Sequence, residues 1–157
     1  MATRHLLLIL LLTSILHAAS SIPGNSTVDA PTATAYDVLE QNNLPRGLLP
    51  LGVKSYAYHD GVLDVTLSVP EVCDFFVTID GRKYLIRYGN RDGGVIAPGS
   101  ITKVHSVRMQ DAWGLWRGFA EVTRVGDQLE FLVAEQETRS FPVSAFAHSP
   151  RCNKGSV

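Results

Sequence analysis

The strongest chemical signal in the sequence is a run of cations in the segment DGRKYLIRYGNR, residues 80–91. No acidic residue interrupts it between the first cation and the last. If the segment is a β-strand, alternate side chains share a face, so that two cations flank Leu85 on one side. Such a surface could bind an anionic head group or an acidic polysaccharide through charge-assisted hydrogen bonds, or it could be a solvated strand whose charges discourage edge pairing. The candidate ligand-binding cations are Arg82, Lys83, Arg87 and Arg91.

Two tryptophans lie close together in the segment AWGLWRG, residues 112–118. Indole rings favour positions that are half in water, so Trp113 and Trp116 could form an interfacial wedge or stack on a sugar ring. The alternative is that they close the core or one end of a barrel.

The segment LPRGLLPLGV, residues 44–53, combines leucines with two prolines and two glycines. Its prolines remove amide donors and exclude a regular helix, so we predict a compact loop. The leucines then either plug the space between a helix and a sheet or form an apolar lip at a ligand site. Leu48 and Leu49 are the candidate ligand contacts in this loop.

Motifs of the common catalytic classes are absent from the sequence: there is no GxSxG, no HExxH and no P-loop. His59, His105 and His148 are far apart and do not have metal-ligand spacing, and we predict neither a metal nor a cofactor. One of these histidines could still act as a general base beside a serine or carboxylate from another strand, which would give an ester hydrolase.

The sequence contains two cysteines, Cys73 and Cys152. In an oxidising compartment the default is one disulfide, here tying an early strand to the C-terminal tail. A catalytic Cys73 is the alternative.

The N-terminus, MATRHLLLILLLTSILHAASS, has a short basic start, an apolar run and small residues. This order is typical of a secretory signal peptide, and the run is shorter than the ~20 residues of a membrane span. We predict cleavage after about residue 20, with a retained anchor as the alternative. Asn25 begins a glycosylation sequon. The mature chain should therefore enter the secretory pathway without a transmembrane segment and reach the extracellular space.

The remaining chain has the length of one domain. The whole sequence has a formal net charge of −1, or about −2 once Arg4 leaves with the signal peptide, which gives no general attraction to nucleic acid. Thr34 can cap a short helix over residues 35–43. Asp60-Gly61, Asp80-Gly81 and Gly126-Asp127 each separate alternating segments and predict β-hairpins. We predict a glycine-rich loop over residues 89–94, a strand over residues 100–109 and a last short strand over residues 140–144.

These elements predict an all-β fold, a single antiparallel β-sandwich or partly open β-barrel with one short N-terminal helix. The predicted organisation is a signal peptide over residues 1–20, a flexible leader over 21–34, the β domain over 35–153 and a tail over 154–157.

Several separated motifs resemble, in order, those of the plant DUF538 family: YDVLEQNNLPRGLLPLGVKSY, the strand that bears Cys73, YLIRYGNRDGGVIAPGSI, the Trp-bearing strand and FPVSAFAHSPRC. The likeness covers about residues 35–152. It implies a plant-specific, β-rich, often secreted domain that is largely uncharacterised and linked to stress responses. Lipid binding and hydrolysis of chlorophyll-type esters have been proposed in the family, but neither implies a role for a particular residue of this chain.

We therefore expect a secreted, non-enzymatic protein that binds an amphipathic or anionic ligand, such as a lipid or a lipopolysaccharide-like molecule, or a polysaccharide. The alternatives are a hydrolase of a hydrophobic pigment ester or wall-polymer ester and an extracellular interaction protein without a small ligand.

Overall fold

A computed structural model describes residues 33–133 and 137–153. The predicted signal peptide, most of the leader including Asn25, and the tail at 154–157 lie outside these residues. The helix α1 spans Ala35–Gln41 and is followed by a 3₁₀ turn, Arg46–Leu48. A second 3₁₀ turn, Val143–Phe146, follows the last strand. The strands are β1 Val53–His59, β2 Val62–Leu67, β3 Val72–Ile79, β4 Arg82–Ala97, β5 Ser100–Gln110, β6 Trp116–Val125, β7 Gln128–Val133 and β8 Glu137–Pro142.

All eight strands belong to one antiparallel sheet with the order β1-β2-β4-β5-β6-β7-β8, and β3 pairs with β4 beside this path. In the described ranges β1 and β8 are edge strands that do not pair with each other, so the sheet is not closed. The prediction of an all-β, partly open fold with one short helix is confirmed. The described part of the chain contains no helix long and apolar enough to cross a membrane.

Local sequence signals explain most of the elements. Thr34 and Asp37 form a reciprocal capping box at the start of α1. Asp60 and Gly61 both have positive φ, 49° and 78°, as a type I′ hairpin turn requires. Asp80 and Gly81 repeat this geometry with 49° and 75°.

The prediction of a loop over residues 89–94 is wrong, because β4 continues through this segment. The strand changes partner there: its first half pairs with β3, and residues from Arg91 onward pair with β2. The glycines are needed for close packing rather than for a turn. A Cβ on Gly93 would clash with the Leu63 carbonyl oxygen, and one on Gly94 would lie 2.8 Å from Ile101 Cγ2.

The core combines buried residues of the strands with buried residues of α1, of the segment that follows it and of the second 3₁₀ turn. Phe131 is central in it, with ring centroids 5.1 Å from Phe119 and 5.4 Å from both Phe141 and Phe146. Helix α1 buries Val38 and Leu39 against this core.

Cys73 and Cys152 form a disulfide with a Cα–Cα distance of 4.9 Å, which confirms the predicted pairing. Beside it, the amide of Asn153 donates a 2.6 Å hydrogen bond to the Asp74 carbonyl and fixes the C-terminal segment to β3. An oxidised Cys73 has no thiolate, so the alternative of a catalytic cysteine is excluded in this state.

Candidate functional site

Several connections meet at one end of the sheet, which we call the tip. The tip comprises the β3–β4 turn with the first residues of β4, the β5–β6 connection at residues 111–115, and the start of β8. Arg82 pairs with Ile79 at the β3–β4 turn, and Gln110 pairs with Trp116 at the β5–β6 connection. Because β4 and β5 are antiparallel neighbours, both connections lie at the same end of the sheet.

A shallow groove of about 400 Å³ lies at the tip. Arg139 lies 2.7 Å from Glu137 and is neutralised by it. Arg82 and Lys83 form no ion pair in the described ranges. The described side chains that line the groove therefore carry a net positive charge. The lining consists of Arg82, Lys83, Tyr84, Gln110, Asp111, Ala112 and Arg139.

The carboxylate of Asp111 organises the β5–β6 connection. Its side chain is 4% exposed and forms an ion pair with Arg117 at 3.0 Å. It also accepts hydrogen bonds from the amides of Trp113 at 3.0 Å and Leu115 at 2.8 Å. Burial opposes ionisation, but these bonds from Leu115, Arg117 and Trp113 hold the pKa of Asp111 below its ordinary value. Asp111 thus holds the loop in place, and its charge is compensated by Arg117 rather than by Arg82 or Lys83.

This loop presents apolar side chains to water. Trp113 is 83% exposed and Leu115 is 55% exposed, although both are large and hydrophobic. Trp113 therefore does not close the core, whereas Trp116, the other member of the tryptophan pair, is half-buried under the Arg87 guanidinium. An ordered loop that exposes such residues is typical of a contact surface.

The four predicted cations are separated by the fold. Arg82 and Lys83 line the groove. Arg87 donates two hydrogen bonds to Asp74, at 2.7 and 2.6 Å, and stacks over the Trp116 ring at 4.3 Å. The bonds to Asp74 raise the pKa of Arg87 further and compensate its charge. Arg91 lies far along β4 from the tip, opposite Thr66 of β2.

The predicted leucine contacts lie inside the protein. Leu48 and Leu49 are buried, and the Tyr88 hydroxyl donates a hydrogen bond to the Leu48 carbonyl. The LPRGLLPLGV segment is thus a plug between α1 and the sheet. Both leucines line an interior cavity of about 50 Å³, whereas small-molecule pockets usually measure about 300 Å³ or more.

The three histidines do not come together. His59 lies on the first hairpin turn, 3.7 Å from Asp60, with both side chains about nine-tenths exposed. His105 Nε2 lies 3.7 Å from Asp64 Oδ1, and its Nδ1 lies 3.5 Å from Ser106 Oγ. His148 is exposed. No cluster of metal-ligating side chains occurs within residues 33–133 and 137–153.

Sequence reasoning missed Arg139 and Asp111 as residues of the tip. Arg139 could not have been found, because only the order of the strands brings β8 near β4 at this end. The segment DAWGL did contain a signal, since an aspartate followed by a glycine three residues later is typical of a turn held by the carboxylate.

Comparison with known proteins identifies the family but not the activity. A family model described as "Protein of unknown function, DUF538" matches residues 35–147. The match spans well over half of the chain, and the chain belongs to this family. No curated protein and no solved structure matches it.

Proposed function

We propose that this DUF538 protein is a secreted, non-enzymatic protein that binds anionic lipid at the tip. The observation that supports the proposal is the position of Trp113 and Leu115, exposed on an ordered loop beside Arg82 and Lys83, two cations that form no ion pair with any residue the structure describes. The disulfide is compatible with secretion, because disulfides persist in oxidising compartments.

The two parts of the tip match the two parts of an amphipathic lipid. The indole of Trp113 suits the interfacial region of a bilayer, where one side of the ring is apolar and the N–H is hydrated. Arg82 and Lys83 would lie at the level of the head groups, where each cation contributes about 1 kcal/mol near an anionic surface. Both contributions require no rearrangement of the protein.

The experiment is vesicle co-flotation of the mature chain with neutral and anionic lipids, at low and physiological salt. We expect binding to anionic vesicles only, weakened by salt because the cations are exposed. The double variant Arg82→Glu/Lys83→Glu should lose at least about 2 kcal/mol, roughly thirtyfold in affinity. The variant Trp113→Ala/Leu115→Ala should also bind weakly, without loss of stability, since both side chains are exposed.

The matched control is Lys54→Glu/Arg91→Glu, which makes the same change in net charge away from the tip. It should retain most of the binding. Equal losses in the two charge-reversal variants would mean that binding follows net charge, and an absence of binding to any vesicle would refute the proposal.

A second candidate function is ester hydrolysis, and the observation that favours it is the chain of contacts from Asp64 through His105 to Ser106. If Nε2 carries its proton toward Asp64, Nδ1 can accept the Ser106 hydroxyl proton as a general base. Hydrolysis of 4-nitrophenyl butyrate that disappears in both His105→Gln and Ser106→Ala would support it. Equal rates in the variants and the parent protein would rule it out. If neither assay responds, an extracellular interaction protein without a small ligand is the better interpretation.

A further inference from the structure

A carboxyl group is buried in the core far from the tip. Asp92 of β4 is 2% exposed, and in the described ranges it is the only charged residue that is buried as a whole. Among the residues that the structure describes, no donor makes a hydrogen bond of good geometry to either of its oxygens. Burial raises the pKa of Asp92 to about 7, and the nearby Gly89 amide opposes this rise only in part.

The contrast with Asp111 shows that the missing partners are specific to Asp92. Asp111 has a similarly inaccessible side chain, but it accepts hydrogen bonds from two backbone amides and one guanidinium. The phenol of Tyr88, beside Asp92, donates to the Leu48 carbonyl instead. A buried carboxyl without donors destabilises a fold, so structural stability does not account for Asp92.

Asp92 lines the interior cavity of about 50 Å³. Most of the remaining wall is aliphatic or aromatic, and Leu49, Val65 and Phe119 are examples. The site therefore combines a carboxyl group that lacks hydrogen-bond donors with apolar walls. A ligand that fits it has a donor group and a short hydrocarbon stem.

The backbone around Asp92 is shaped to leave this space. The pairing of β4 with β5 shifts register between Tyr88 and Gly93, which interrupts the ladder beside Asp92. On the facing strand Lys103 and Ser106 have positive φ, 52° and 64°, which is unfavourable for residues other than glycine. Backbone strain of this kind concentrates at functional sites.

We propose that the Asp92 cavity is a binding site for a small primary alkylammonium ion. An ammonium group has three N–H donors and a positive charge, so it can satisfy both carboxylate oxygens and neutralise them in apolar surroundings. A hydroxyl group has one donor and would leave an oxygen unpaired. An engineered cavity that binds benzene measures about 150 Å³. The Asp92 cavity has about a third of that volume, which restricts the stem to a few carbon atoms.

The test is an amide NMR titration of the mature chain with ethylammonium. Ethanol and tetramethylammonium, which respectively lack the charge and the N–H donors, serve as comparison probes. We expect saturable shifts around Asp92 with ethylammonium, at a dissociation constant on the order of 1 mM for so small a ligand. Asp92→Asn should weaken binding at least about tenfold. Asp60→Asn, which removes a carboxylate about nine-tenths exposed on the β1–β2 turn, should leave it unchanged.

A second variant keeps Asp92 intact if Asp92→Asn does not fold. Val104→Leu enlarges a side chain that lines the cavity and should also weaken ethylammonium binding. Equal binding of ethanol or tetramethylammonium would overturn the assignment of an ammonium site. Absence of saturable shifts with ethylammonium would overturn it too, and would mean that the cavity holds only water.

Discussion

Replacing Asp92 by asparagine should change the pH dependence of stability more than any other single substitution in the core. The pKa of this carboxyl rises from 3.8 to about 7 in the folded protein. The folded state therefore holds a proton that the unfolded state has released between these two values. Stability attributable to Asp92 is full below about pH 4 and is lost as the pH rises through 7. The pKa difference of about three, at 1.36 kcal/mol per pKa unit, gives a loss of about 4 kcal/mol.

The assay is urea denaturation of the parent protein and of Asp92→Asn at intervals from pH 4.5 to 8.5. The free energy of unfolding of the variant, relative to the parent protein, should increase by several kcal/mol over this range. Other carboxyls with shifted pKa values, such as Asp37 and Asp111, contribute equally to both proteins and cancel in the difference. The asparagine amide has its own cost of burial, but that cost is independent of pH. Parallel curves would refute the assignment of Asp92 as a buried, unpartnered carboxyl.

Two further predictions concern the ends of the folded chain. The double variant Cys73→Ser/Cys152→Ser opens a loop with a sequence separation of 79 residues. It should lower the free energy of unfolding by about 4 kcal/mol. A loss below about 1 kcal/mol, measured by urea denaturation, would contradict this prediction. Thr34→Ala removes the side-chain cap of α1, which accepts from the Asp37 amide at 3.2 Å, and it should cost about 1 kcal/mol. Thr34→Ser is its control, because serine caps equally well, and a loss as large as that of Thr34→Ala would show that the cap is not responsible.

The hairpins and the disulfide could be predicted because their signals are local or leave few options. Asp-Gly between alternating segments specifies a type I′ turn, whatever lies elsewhere in the chain. Two cysteines allow a single pairing within the chain. The segment that contains Gly93 and Gly94 was predicted as a loop because glycine-rich sequence is typical of turns. Only the packing of β2 and β5 on both sides of this segment shows that the glycines are required for close contact within a strand.

The candidate site was predicted in part. Spacing along the chain grouped four cations, but neighbours across the sheet determine whether the charge of each cation is compensated. Asp74 lies opposite Arg87 in the β3–β4 pairing and neutralises it, and no feature of the segment 80–91 indicates this partner. In the same way, the sequence does not show that Asp111 orders the loop that exposes Trp113.

The interior and the tip can be compared by the free-energy cost of placing a lipid tail at each. The cavity of about 50 Å³ is too small for an alkyl chain, so a tail could enter only if the LPRGLLPLGV plug moved. That movement would expose Leu48 and Leu49, at about 1.5–3 kcal/mol each, and would break the hydrogen bond from Tyr88 to the Leu48 carbonyl. Trp113 and Leu115 are already exposed, and their insertion into a bilayer gains apolar burial without such a cost. For the proposed lipid binding the tip is therefore favoured over the interior, and the Asp92 cavity suits only a ligand small enough to leave the plug in place.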